Sequence, residues 1–136
     1  MVEVKIDNIR TDNNEAPVVI LEEIDSDPKR KLLIWIGESE ASAIKAGLEN
    51  ISFPRPMTHD LLKNIVDALS ATVTGIYINA FEKQTFYAKV KLKSNIQDLN
   101  IDSRPSDALA LAIRCEVPIY VEEKVIEENG FLEKEK

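Results

Sequence analysis

With only one cysteine, one histidine and one tryptophan, this 136-residue chain can support few chemistries. Cys115 has no partner for an intramolecular disulfide, which points to a reduced, cytoplasmic setting. HxxxH and CxxC pairs and glycine-rich phosphate loops are missing, so neither a zinc site nor a nucleoside-triphosphate site has sequence support. The N-terminal "MVEVKIDNIR" alternates from the start and leads into no long apolar stretch. Neither a signal peptide nor a membrane-spanning helix is expected, and no membrane partner. A basic excess is also missing. The net charge is -7, and even without the acidic "EEKVIEENGFLEKEK" end the body carries -4. Such a chain repels nucleic acid on average, and binding would need a local basic patch.

The residues that are present, 44% hydrophobic and 30% charged, describe one soluble domain with one core. Val2, Val4 and Ile6 alternate with Glu3, Lys5 and Asp7, the period of a half-buried strand. "VVILEEI" and "LLIWIG", separated by a turn at Asp27-Pro28, complete a three-stranded meander. "ESEASAIKAGLEN" changes to helical spacing, and "THDLLKNIVDALS" does so again behind the proline-stiffened "ISFPRP", with Thr58 as its N-cap. "TVTGIYINAF" and "TFYAKVKLK" form a hairpin. "SNIQDLN" reads as a polar link, "SRPSDALALAIRC" as a buried helix and "VPIYV" as a short strand. The expectation is a single α+β domain over residues 1–136, with a mixed, mainly antiparallel sheet and two or three helices. Residues 123–136 read as an acidic C-terminal extension. "RPMTHDLLKNIVDAL" and "RPSDALALAIR" echo each other, which suggests an internal α-β duplication.

Chemistry concentrates at those two Arg-Pro helix starts. His59 and Asp60 fall in a first helical turn, where free N–H groups and the helix dipole favour an anion such as phosphate, and Arg55 lies just before it. An imidazole there suits a general base or acid. A plain helix start explains the same residues: a capping threonine, an aspartate complementing the dipole, a packed ring. Asp107 stands among Ala108, Leu109, Ala110, Leu111, Ala112 and Ile113, so its charge needs a partner, Arg104 or Arg55 by preference. Glu38 and Glu40 open another helix and are explained by its dipole. Tyr87, Lys89, Lys91 and Lys93 share one side of a strand. They form either a single-strand-binding face or a solvated sheet surface. Trp35, between Ile34 and Ile36, reads as a core or interface anchor. With the strand-rich first third, it suggests a homo-oligomer.

Taken in order, "IWIGESEASAI", "PRPMTHDLLKNIVDAL", "TFYAKVKL" and "DSRPSDALALAIRCEVPIYV" resemble the bifunctional nuclease domain family over nearly the whole chain. The resemblance implies an α+β domain and, as in plant relatives, cleavage of DNA and RNA. It also implies that the two helix starts come together. Arg55 and Arg104 would then clamp phosphate, with His59, Asp60 and Asp107 as catalytic groups. A divalent cation such as magnesium or manganese would be the candidate cofactor, nucleic acid the partner. The alternatives are a non-catalytic homo-oligomeric module and a nucleic-acid-binding regulator that does not cut.

Overall fold

The computed structural model describes residues 1–133. Two three-stranded meanders form the frame. Strands β1 (Val2–Thr11), β2 (Pro17–Glu23) and β3 (Arg30–Trp35) lead into helix α1 (Glu38–Leu48), and helix α2 (Thr58–Ala68) follows. Strands β4 (Thr72–Glu82), β5 (Thr85–Lys93) and β6 (Asp98–Ser103) then lead into helix α3 (Pro105–Cys115). Strand β7 (Ile119–Val121), helix α4 (Glu123–Asn129) and strand β8 (Phe131–Leu132) complete the described chain.

All eight strands form one sheet in the order β6-β5-β4-β7-β1-β2-β3-β8. Among the described strands only β4 and β7 run parallel, so the sheet is mixed and mainly antiparallel. Strand β7 can be short because it lies between two meanders and is buried, with Ile119 and Val121 in the core. The hairpin between β4 and β5 turns at Lys83 and Gln84, both at positive φ, as a two-residue turn matched to strand twist requires.

Three expectations change. "SNIQDLN" is no mere link: its second half begins β6, an edge strand whose residues are almost all exposed, so burial left little periodic signal. Four helices form where two or three were expected. Residues 123–132 are built into the domain, since Val125 and Ile126 of α4 enter the core and β8 pairs with β3. Residues 134–136 of the acidic end lie outside the described residues. The Arg-Pro echo corresponds to α2 feeding β4 and α3 feeding the parallel neighbour β7. A larger repetition is visible in the topology. Each meander delivers an eleven-residue helix, α1 or α3, and Ser39-Glu40-Ala41 takes the same helix positions as Ser106-Asp107-Ala108.

Helix α3 is the centre of the helical layer. Ala108, Leu109, Ala110, Leu111 and Ala112 are buried, and the alanines let α1 and α2 approach closely on either side. Leu109 and its neighbours join Ile76, Ile78, Ala88 and Val90 of β4 and β5 in one core cluster. This packing brings the first turns of α1, α2 and α3 together.

Candidate active site

Each of those three first turns supplies an acid. Asp107, the third residue of α3, is held on both oxygens. Arg104 Nε donates to its Oδ2 at 2.9 Å and Arg104 Nη2 to its Oδ1 at 3.2 Å. His59 Nε2 meets the same Oδ1 at 2.9 Å, and a carboxylate can only accept, so the ring carries its proton there. Burial by itself would raise the Asp107 pKa. Hydrogen bonds from Arg104 and then His59 outweigh it and hold the carboxyl below its ordinary value. On its other side Arg104 Nη1 lies 3.5 Å from Glu40 Oε2 of α1. The result is a continuous chain, Glu40–Arg104–Asp107–His59, across three helix starts.

His59 is buried, at 8% exposure, and is the only buried residue of α2. It sits deeper than the half-buried boundary position its helical phase suggests, because α3 is alanine-rich opposite it. Every buried side-chain polar atom among the described residues has a partner. Among the described residues Nδ1 has no hydrogen-bond partner, and it is not fully enclosed.

Asp60 goes elsewhere. Its Oδ2 accepts from the Met57 backbone N–H at 3.1 Å, and Arg114 Nε donates to its Oδ1 at 2.8 Å. Burial again works against the charged form, and the Met57 N–H and Arg114 overcome it, so the Asp60 pKa is lowered. Arg114 also donates to the Ala110 and Ala43 carbonyls and thereby ties all three helices. Gly47 leaves it room, since a Cβ there would come within 3.0 Å of Arg114 Nη1. Thr58 does not cap α2. Met57 holds the cap position and Thr58 is the first helical residue, with its side chain exposed.

The remaining candidates separate in space. Arg55 is exposed in the loop before α2 and stays outside the chain of contacts. Glu38 is exposed too, whereas Glu40 reaches Arg104. Tyr87, Lys89, Lys91 and Lys93 lie on the side of β5 opposite the core residues Ala88 and Val90, hence away from the helices. There Lys89 approaches Asp102 at 3.4 Å, Lys91 lies 4.2 Å above the Tyr77 ring, and Lys93 is in register with Asp98. Two acids from β6 thus offset the basic stripe. Cys115 ends α3, and burial pushes its thiol up, which disfavours the reactive thiolate.

A cleft of about 740 Å³ opens beside Arg104. Glu40, Arg104 and Ser106 form one wall, and Trp35, Phe81, Phe86 and Phe131 supply aromatic surface. Trp35 is not a core residue: it is 54% exposed, and its indole N–H donates to Asp12 at 2.9 Å, which fixes the ring. His59 and Asp107 do not line the cleft; they stand behind Arg104. Among the described residues no three His, Cys, Asp or Glu side chains cluster to hold a metal ion. The guanidinium of Arg104 sits between the two nearest carboxylates, so in this arrangement the residues do not fit a divalent cation.

The bifunctional nuclease domain profile matches residues 19–134. The chain belongs to the bifunctional nuclease domain family. An uncharacterized protein of Mycobacterium tuberculosis is 41% identical over 133 residues, covering 97% of this chain and 78% of the relative. Bifunctional nuclease 1 of Oryza sativa subsp. indica is 28% identical over 102 residues, 73% of this chain and 31% of the plant protein. Bifunctional nuclease 2 of Oryza sativa subsp. japonica is 26% identical over 117 residues, 84% and 36% respectively. The match therefore spans only about a third of these plant proteins.

Arg114 escaped the sequence reading. Its signal was the one that singled out Asp107: a charge in the apolar run "ALALAIRC" must be paired when the helix is buried.

Proposed function

We propose that this domain hydrolyses phosphodiester bonds in nucleic acid at the Arg104–Asp107–His59 cluster, next to the aromatic cleft. The observation that carries the reading is the oriented histidine. Asp107 fixes one ring nitrogen of His59, the other has no partner among the described residues, and a 64% exposed Arg104 side chain shares the same carboxylate. Carboxylate-oriented imidazole is the arrangement of a general base. His59 Nδ1 takes the proton from the water that attacks phosphorus, Asp107 stabilises the imidazolium, and Arg104 offsets the charge that builds on the phosphoryl oxygens. The proton returns from His59 to the departing ester oxygen as its P–O bond breaks. The cleft walls offer Trp35 and Phe86 as stacking surfaces for an unpaired base, which favours single-stranded substrate. The plant relatives, bifunctional nucleases by name, support the same reaction class. No step is assigned to a metal ion. The lysine stripe on β5 takes no part in this reaction, because Asp98 and Asp102 stand beside it.

A second reading has its own observation. His59, Asp107, Arg104 and Glu40 bond to one another, as expected of a clasp in a non-catalytic module. Cleavage of single-stranded DNA and RNA by purified wild type and His59→Gln, with and without magnesium or manganese, separates the two. The nuclease reading expects cleavage by wild type and its loss in His59→Gln, with stability within about 1 kcal/mol because an amide still reaches Asp107. Undiminished cleavage in the variant, or none by folded wild type under either condition, removes it. Binding of the same strands without cleavage, weakening steeply with salt, would identify a regulator.

A further inference from the structure

Helix α2 presents its apolar side to solvent. His59 is its only buried residue, whereas Leu61, Leu62, Ile65 and the following Leu69 are 40–75% exposed, and Met57 before them is exposed as well. Leu61, Ile65 and Leu69 recur every four residues and so form one row along the helix, with Leu62 beside it. The row points away from His59, Lys63 and Val66, the positions turned toward the domain. A surface helix of a monomer ordinarily turns such a stripe inward. The edge strand adds to the exposed apolar surface. Leu99 and Ile101 of β6 pair with Leu92 and Val90 on the helix-bearing side of the sheet, yet both stay exposed.

We propose that this face of α2 seats the same face of a second copy of the chain, making a homodimer. A four-residue row is self-complementary: a two-fold axis near Ile65 lays Leu61 of one copy against Leu69 of the other, ridge into groove. The area also fits. The five apolar side chains from Met57 to Leu69 expose on the order of 500 Å², close to the apolar share of the roughly 800 Å² each partner gives to a standard interface. Charge supports a protein partner as well. Lys63 and Asp67 pair with each other at 3.0 Å within the helix, so no unmatched charge interrupts the stripe. The chain's net charge of -7 opposes an anionic lipid surface. The interface shares α2 with His59 but lies on the other side of the helix, and it holds whether or not the site cuts nucleic acid.

Light scattering of the full chain from about 1 to 100 µM tests this. The expected mass is twice the 15.3 kDa of one chain. A Leu61→Asp, Ile65→Asp double variant should weaken dimerisation at least about 100-fold while keeping the wild-type circular dichroism spectrum. Ile65→Cys provides an independent check that introduces no charge. Mild oxidation should link it into a covalent dimer, whereas wild type, with only the half-buried Cys115, stays unlinked. A wild type that is monomeric at 100 µM, a folded double variant that keeps the dimer mass, or no covalent dimer from Ile65→Cys would each overturn the proposal. Capture of a monomer by phosphatidylcholine vesicles would overturn it too and assign the face to a lipid surface.

Discussion

Two arginines in this domain each bridge two carboxylates, and they differ in their access to water. Arg30 donates to both oxygens of Glu23 at 2.8 and 3.0 Å and to both of Glu123 at 2.9 and 3.0 Å. Glu23 also takes the Arg30 backbone N–H at 2.8 Å and is almost wholly buried. The arginine's hydrogen bonds hold its pKa at about 2 against the burial that would raise it. Both oxygens of each carboxylate are engaged, and the pair fastens α4 to the β2–β3 turn. Arg104 has the same kinds of partner, but its side chain is 64% exposed and lines the cleft. Its carboxylate is shared with the only histidine, and Glu40 sits at a loose 3.5 Å. A closed clasp stabilises; a clasp with an open side can take a ligand.

Glu23 should give the largest effect. Glu23→Ala leaves Arg30 with one carboxylate and an unfilled buried site, and should cost about 3 kcal/mol in urea unfolding. The pH dependence has a definite sign. The folded pKa of about 2 lies below the ordinary 4.5, so the advantage over Glu23→Gln is complete above about 4.5. It disappears as pH falls toward 2. An advantage unchanged at pH 2.5 would show that Glu23 is not the group responsible.

Asp107→Ala comes next, at about 1–3 kcal/mol. Asp107 is one-third exposed and Arg104 can turn to water, so the loss should be smaller than at Glu23. A loss equal to that of Glu23→Ala would make the two clasps alike and weaken the case for a functional opening. Arg104→Ala separates them further: stability should stay within about 1 kcal/mol while cleavage of single-stranded substrate is lost. Retained cleavage would leave Arg104 a surface ion pair and nothing more. The smallest effect belongs to Thr58→Ala, within about 0.5 kcal/mol by thermal melting, because the Met57 N–H is satisfied by Asp60 and not by the threonine.

The α+β class, the first meander, the β4–β5 hairpin and the buried α3 were legible in the sequence, because alternation and helical spacing are local consequences of one-sided burial. The Arg104–Asp107 pair was legible for a related reason, since the two lie three residues apart on a helix with no other compensation for charge. Local pattern could place His59 in a first turn, and only the family resemblance put it near Asp107, 48 residues away, without showing the bond between them. Nor could it separate Asp60 from His59, its neighbour, which the helix aims at a different partner. Arg55 and Arg104 follow the same Arg-Pro pattern, yet only Arg104 enters the cluster. Strand β6 and the folding-in of the acidic end depended on partners far along the chain, which no local period encodes. What sequence alone determined were the elements and their buried faces, because these follow from neighbours within a few residues. Which charges meet, and which of the two arginine clasps remains open to a ligand, was decided by packing three helix starts around α3, a contact set that exists only once the chain has folded.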